Sequence, residues 1–525
     1  MDKILDKKEI ILEISVIAIV LIFWGGGWGS PFIGPSNFID EGQFGAWINH
    51  INHGEHLFKD IFIVYGPLSV YALLWLAKLF GFSIFLIREY LTLGALPGFV
   101  VLYLISYKFS FSKSLRYMLY LVFLLLPILS MRQGMFMLGL YLFLSAYEKG
   151  VLYRFIAGVV IIISLLVSQE YGIFLIALFI IRASFEYLKK VGNYKYILSI
   201  ACGIVISFSI FATIAIGNGW FVEYIRDTVD VITSFSGQNV PNGMNFPKLF
   251  ESPANITTPF QAIKIFFDTT RIYYYSLVVY VISIQYLIIS AFSKKSSKEH
   301  LYLFFITLSG LLIMPSLITR PGIANFFGLL WPVIIILFYF INLLIKEVAG
   351  KKKNIVTLLL LTLCCLFIAR VISLYRPNLA QRVRDISLIP KVIGSNNSIA
   401  RVGTMDLKRE QTKQVLGMKR IVDKYSKEGE FIFFFNDEPM YYFLFNRRNP
   451  TRFDLPFAAN TLSKRYELLN SIRTNKTKLI IIDQNVWAVD GINNARRLPE
   501  LYSYIIENYE RVKTEDKSII VFIKK

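Results

Sequence analysis

The sequence predicts a polytopic α-helical membrane protein, with about 11–13 transmembrane helices followed by a C-terminal extracytoplasmic α/β domain. Three observations carry this. At 525 residues the chain is 55% hydrophobic with a mean hydropathy of +0.53, too apolar for an ordinary soluble domain. Apolar runs succeed one another from Ile10 to Val371. From about Tyr375 the composition turns polar, and strand-like and helix-like stretches alternate. The expected division is therefore a membrane domain over 1–374 and a soluble domain over 375–525.

The apolar runs lie at 10–24, 67–79, 91–107, 117–129, 135–146, 155–167, 172–181, 197–216, 274–292, 301–318, 327–345 and 355–371. Several fall short of the roughly 20 residues that a straight crossing needs, so they borrow flanking residues or are buried in the bundle. The first run has a charged leader but no clear small-residue cleavage site. With Trp24 and Trp28 at its end it reads as a retained helix.

Basic residues sort the loops. Lys3, Lys7 and Lys8 and the loops 108–116, 149–154, 182–195, 294–298 and 346–353 read as cytoplasmic. The loop 30–66, "SMRQG", "SQEYG", 218–271, "TRPG" and the tail then face outward, which makes this a multi-pass plasma (inner) membrane protein with its N-terminus in the cytoplasm. From Lys108 onward the alternation has no exception. Before it, runs 67–79 and 91–107 both lie between an outer and an inner loop, where an odd number of crossings is required. One of them is re-entrant or interfacial, or one inside assignment differs.

In the tail, "FIFFF" (431–435), "KLIIID" (478–483) and "SIIVFI" (518–523) read as strands, with helices at 462–472 and 498–507. The formal charge of +20 and the pI near 9.6 suit cytoplasmic loops and anionic lipid headgroups better than nucleic acid. All three cysteines, Cys202, Cys364 and Cys365, sit in apolar runs, which excludes a disulfide framework. No phosphate-cradling loop, dinucleotide fingerprint or hydrolase nucleophile motif occurs, which disfavours an ATP-driven pump and a soluble nucleotide-sugar domain.

The topology puts Asp40 and Glu41, Arg132, Glu170 and Arg320 at crossing ends on one side. Charge there is costly unless it pairs or lines a wet cavity, so these residues form a candidate outer-face site. In the first loop, "NFIDEGQFGAWINHINHGEHLFKDIFIVYGPL", an amphipathic helix follows the acidic pair, with Phe44, Trp47, Ile48 and Ile51 on one side. Gly54 ends that helix, Lys59 and Asp60 return toward the bilayer, and Gly66–Pro67 opens the next segment. Three of the four histidines fall here, and His50 and His53 share a helix face near Glu55. They are weak candidates for a divalent metal, the one cofactor the pattern allows. Asp437 and Glu438 follow a predicted strand and read as a solvated loop.

An acidic pair after the first membrane helix, an amphipathic surface helix and an aromatic and charged run ending in "YGP" resemble the GT-C glycosyltransferases, specifically the aminoarabinose transferase and protein O-mannosyltransferase-like group. The resemblance continues in "GFSIFLIREYLTLGA" (81–95), "TRPGIANFFGLLWP" and "FFFNDEPMYYFLFNRRNPTRF" (433–453). It implies transfer of a hexose or pentose from a polyprenyl-phosphate donor to a lipid, glycan or protein acceptor at the outer face, in contact with membrane lipids and without nucleic acid. By that resemblance Asp40 is the general base, and Glu41 is the runner-up base or a partner that positions it. Arg132, Arg320 and Lys59 are candidates for the leaving phosphate, Asp60 for the donor region and Glu170 for acceptor or sugar. Two other readings stay open. A polysaccharide polymerase or ligase would use a large middle loop, here with Glu223, Arg226, Asp227 and Asp230. A transporter would place charges at the bilayer midplane, typically in two related halves.

Overall fold

Helix α1 (Lys7–Trp24) opens the bundle, and α2 (Asp40–Asn52) occupies the first loop. The chain continues through α3 (Pro67–Phe80), α4 (Ile84–Leu93), α5 (Leu96–Lys108), α6 (Lys113–Leu125), α7 (Met131–Ser145), α8 (Val151–Val167), α9 (Gln169–Leu188), α10 (Tyr194–Gly217) and α11 (Phe221–Asp230). It completes the membrane part with α12 (Thr269–Phe292), α13 (Lys298–Thr319), α14 (Ile323–Gly328), α15 (Trp331–Ala349) and α16 (Ile355–Val392). This computed structural model describes residues 7–24, 32–33, 37–126, 128–188, 194–230, 269–293, 297–319, 323–328, 330–349, 355–392, 399–407, 409–484, 492–514 and 516–525.

Among the described residues, five helical stretches are long and apolar enough to cross a membrane: Ile84–Lys108, Gln169–Leu188, Lys195–Gly217, Tyr273–Phe292 and Lys298–Ser316. Their outer faces are apolar and uncovered by protein. Val205, Ile210 and Ile214 on α10 and Val278, Val281 and Ile289 on α12 are exposed, as residues facing acyl chains are. Helix α15 is the opposite case. Trp331 and Val333 through Ile336 are fully buried, so it runs through the interior of the bundle.

The structure distinguishes the two early apolar runs. Gly66, at the start of α3, donates its N–H to the Val167 carbonyl (3.1 Å) at the end of α8. The other end of α3 joins α4 through Gly81–Ser83, and Ser83 packs against Gly403 of the tail. Both ends of α3 thus lie on the face that carries the tail. At 14 residues it is also only about 21 Å long, short of the ~30 Å hydrocarbon core. Of the two runs, only the second lies in a helical stretch, Ile84–Lys108, that is long and apolar enough to cross.

Helix α16 has 38 residues, roughly 57 Å; its apolar part is Leu358–Ser373, and it runs on past residue 374 toward the tail. The tail contains α17 (Arg409–Tyr425), β1 (Ile432–Phe434), α18 (Met440–Leu444), α19 (Leu462–Thr474), β2 (Leu479–Asp483), α20 (Asn494–Arg497), α21 (Pro499–Asn508), β3 (Tyr509–Val512) and β4 (Ile519–Lys524). The sheet order is β1-β2-β4-β3, parallel between β1 and β2 and antiparallel elsewhere. In register, Ile432 faces Leu479 and Ile481 faces Val521.

The three apolar strands are continuous runs because both sheet faces are covered. Phe433, Ile480 and Phe522 pack on one side with Leu468, Leu469 and Ile505 of α19 and α21. Ile432, Phe434, Leu479, Ile481 and Val521 pack on the other, in one core with Phe44, Trp47 and Ile48 of α2 and Leu57 and Ile61 of the first loop. The first loop and the tail are therefore built around a common apolar interior.

Candidate active site

Helix α2 begins on an Asx turn. The Asn37 side-chain oxygen accepts the N–H groups of Ile39 (3.0 Å) and Asp40 (2.9 Å), and its amide donates to Asp40 Oδ2 (2.8 Å). Two carboxylates in the first turn suit the positive end of the helix dipole. The residue beyond them, Gly42, is required by close packing: a Cβ there would lie 2.6 Å from the backbone nitrogen of Met440 in α18. Asp40 is half-buried, whereas Glu41 is fully buried and makes two bonds to Arg88 of α4, Nε–Oε1 at 2.5 Å and Nη2–Oε2 at 2.7 Å.

The end of the first loop supplies the opposite wall. A Cβ on Gly66 would lie 2.1 Å from the Leu166 carbonyl, so only glycine allows the loop to seat on α8. That contact carries Tyr65 to Arg132, whose guanidinium sits 4.7 Å from the Tyr65 ring centre and 5.9 Å from that of Tyr171. Phe44 stacks on Tyr65 (5.4 Å between ring centres) and Trp47 meets it edge-on (5.8 Å), so the aromatic face of α2 fixes the platform beneath Arg132. The groups whose charge or dipole acts on Arg132 are Tyr65, Tyr171, Glu170 and Asp40. Glu170 also accepts the Ser316 hydroxyl of α13, and Gln133 donates to the Tyr171 hydroxyl (3.2 Å). The structure thus gathers Asp40, Arg132 and Glu170, which are far apart in sequence, on the tail-bearing face.

The tail clasps α2 from behind. Asn49 donates to the carbonyls of Tyr442 (3.4 Å) and Arg447 (3.1 Å), and Arg401 donates to Asn49 Oδ1 (2.6 Å). His50 is buried with Nε2 2.8 Å from Asp454 Oδ1 and Nδ1 2.8 Å from Glu55 Oε2. Burial alone would lower its pKa, but Asp454 and then Glu55 push it up to about 10. Burial would likewise raise Glu55, yet His50 and Arg448 hold it below the ordinary carboxylate range. Both ring nitrogens of His50 face carboxylates at 2.8 Å, and His53 turns its Nδ1 to the Asn49 carbonyl (2.8 Å). The proposed ligands His50 and His53 therefore do not fit a divalent ion. Among the described residues no group of three or more His, Cys, Asp or Glu side chains is placed to hold one.

Lys59 and Asp60 lie at the surface of the first loop. Phe58, in the left-handed region (φ 64°), and Leu57 are buried, with Phe58 against Trp220 and Tyr224, which tips the charged pair outward. Lys59 is exposed, and Asp60 accepts the His56 N–H (2.9 Å). Arg320 lies outside the described residues, as do 231–268 of the middle loop. Of that loop's early charges, Asp227 is buried and paired with Arg452, and Asp230 is 3.3 Å from Lys464. Asp437 and Glu438 are no solvated loop. They are 4% and 5% exposed, and burial, then Asp483 and Asp437, raise the Glu438 pKa well above the carboxylate range.

Sequence reasoning missed Arg88, Tyr65 and Tyr171. Arg88 carried a signal, since Arg88–Glu89 is a charged pair inside an otherwise apolar run.

No protein-family model matches the chain, and no curated protein sequence matches it. Its structure is similar to that of the archaeal oligosaccharyltransferase AglB from Archaeoglobus fulgidus in complex with an inhibitory peptide and a dolichol-phosphate, with a TM-score of 0.52 and 14% identity over 99% of this chain and 74% of that one. It is also similar to ArnT from Cupriavidus metallidurans bound to undecaprenyl phosphate, with a TM-score of 0.50 and 13% identity over 98% of both chains. The likeness runs through membrane helices and tail alike, and the chain has the GT-C glycosyltransferase fold.

Proposed function

We propose that this protein is a membrane glycosyltransferase that moves a sugar from a polyprenyl-phosphate carrier to an acceptor on the outer face, with Asp40 as general base. The observation that carries the reading is the cluster of charged groups around Arg132. A half-buried carboxylate, a guanidinium stacked on tyrosine and a second carboxylate are drawn from the first loop, α7 and α9. The fold it shares with AglB and ArnT supports it, since those structures hold dolichol-phosphate and undecaprenyl phosphate.

In the reaction, an acceptor hydroxyl gives its proton to Asp40 as its oxygen bonds to the anomeric carbon. The bond from that carbon to the phosphate oxygen breaks, and the lipid phosphate leaves with the electron pair. Arg132 offsets the charge that develops on the phosphate, and planar guanidinium geometry suits that task. Glu170, held by Ser316, is placed to accept hydrogen bonds from sugar or acceptor hydroxyls. We assign phosphate contact to Arg132 and Arg320 rather than to Lys59. Glu41 is a partner of Asp40 and not a base, because Arg88 occupies its carboxylate. The acceptor is a lipid, glycan or protein, and the sugar a hexose or pentose.

In this reading the membrane domain over 1–374 sits in the plasma membrane with its N-terminus in the cytoplasm, and the domain over 375–525 stands outside. Asp227 and Asp230, on which a polymerase reading rests, are ion-paired to the tail.

The test is sugar transfer in membranes containing equal amounts of wild type or Asp40→Asn, supplied with a panel of radiolabelled polyprenyl-phosphate sugars. Transfer by wild type that falls about 10²–10⁴-fold in Asp40→Asn identifies donor and base together. Consumption of no panel member, or full activity of Asp40→Asn, overturns the reading.

A further inference from the structure

We propose that Arg88 is a positioning residue of the transfer reaction, acting on Asp40 through Glu41 and Asn37. This rests on the reading of Asp40 as base. A guanidinium 1% exposed in a membrane helix is costly unless it is committed to a partner. Arg88 is committed to one, and its two bonds fix the Glu41 carboxylate in position and plane. Glu41 Oε2 in turn accepts the Asn37 N–H at 2.8 Å. Asn37 then holds Asp40 twice, by its backbone N–H (2.9 Å) and by carboxylate Oδ2 (2.8 Å).

Each link constrains the next, and the chain of bonds runs from α4 to the base. The origin of the chain matters. The rest of α2 is clasped by the tail, through Met440, Asn49 and His50. Arg88 instead belongs to the membrane-length stretch Ile84–Lys108, and so refers the base to the same membrane scaffold that carries Arg132. The neighbouring Glu89 is 9% exposed, and among the described residues its carboxylate oxygens have no hydrogen-bond partner. The guanidinium thus serves Glu41 rather than the nearer carboxylate in sequence.

The experiment uses the full chain in proteoliposomes, with three variants beside Asp40→Asn. The double variant Arg88→Met, Glu41→Met replaces the buried pair by apolar side chains, a change that generally leaves folding intact. Arg88→Lys keeps the charge and loses the second bond. Asn37→Ala keeps the Arg88–Glu41 pair and removes the exposed side chain that holds Asp40, with its bond to the Ile39 N–H. Melting temperature, amide hydrogen exchange over residues 37–44 and donor kcat and KM are measured for each.

We expect the double variant to melt near wild type, to exchange the 37–41 amides at least about ten-fold faster and to lose about 10–100-fold in kcat with KM little changed. Asn37→Ala should lose kcat similarly, and Arg88→Lys should fall between. Unchanged amide protection in the double variant overturns the proposal, and that readout needs no substrate. Unchanged kcat in a double variant that melts near wild type also overturns it. Full transfer in Asp40→Asn overturns the base assignment itself, and faster exchange in the double variant then shows the chain of bonds intact but serving something other than the base.

Discussion

In the proposed reaction Arg132 acts through shape as well as charge. Its guanidinium lies over the Tyr65 ring, 4.7 Å from the ring centre, which holds it ready for the phosphate of the proposed donor. Lysine would keep the charge and lose both the stacking and the paired donors. Arg132→Lys is therefore expected to raise the donor KM about ten-fold or more, roughly 1.4 kcal/mol, with protein stability little changed; donor-dependent transfer rates measure it. His50 offers a pH test. Its pKa is about 10 in the fold against 6.5 in an unfolded chain, so the clasp contributes in full below about pH 6.5, weakens as pH rises and is lost through about pH 10. Thermal melting of wild type should fall over that range more steeply than that of His50→Gln. Legibility at this scale followed sequence distance. Asp40 stood out as a candidate because a carboxylate at a crossing end is costly anywhere in a membrane protein. The pairing of Glu41 was not legible, since it depends on a residue 47 positions later. His50 stood only as a candidate metal ligand beside His53, because spacing shows its helix face but cannot show Asp454, 404 positions away.

Among the elements, α3 shows how far hydropathy reaches. Apolar residues over 67–79 say that the segment is covered by lipid or protein, and they do not say whether it crosses. Gly66 and Ser83, each tied to the same face, argue that it does not. Gly66 is the sharper constraint, because its φ of −73° suits any residue and only the approach to Leu166 demands glycine. Gly66→Ala must push the loop off α8 and carry Tyr65 from beneath Arg132. We expect a cost of about 1–3 kcal/mol in stability and a loss of transfer beyond what the lower stability explains, measured by melting and by transfer at matched folded protein. In the tail, strands β1, β2 and β4 were readable as apolar runs. Strand β3, "YERV", was not, since it is a short edge strand with Glu510 and Arg511 exposed, and charge at an edge blunts further pairing. The predicted helices at 462–472 and 498–507 correspond to α19 and α21, where apolar residues recur at helical spacing against the sheet.

For the whole molecule, the decisive relation is that the tail, Asp40, Arg132 and Glu170 share one face, while Glu148 and Lys298 pair at basic loops read as lying on the other. The first loop and the tail have a common core, so they cannot lie on opposite sides of a bilayer. Sidedness then reduces to one measurement with two reporters. Ser463, on α19, and Ser297, before α13, are both exposed, and the three native cysteines lie within membrane helices. Ser463→Cys should react with a membrane-impermeant maleimide in intact cells, and Ser297→Cys only after the membrane is opened. The basic loops predict that direction, because Lys and Arg are retained on the cytoplasmic side. The reverse pattern would turn Asp40 toward the cytoplasm. Donors there include soluble nucleotide sugars, so the case for a lipid-linked donor at an outer surface would fall even though the fold and the charged cluster stayed the same. Labelling of both positions from one side would instead show that an odd number of crossings does not separate them, and would send the revision to the helices between α13 and the tail.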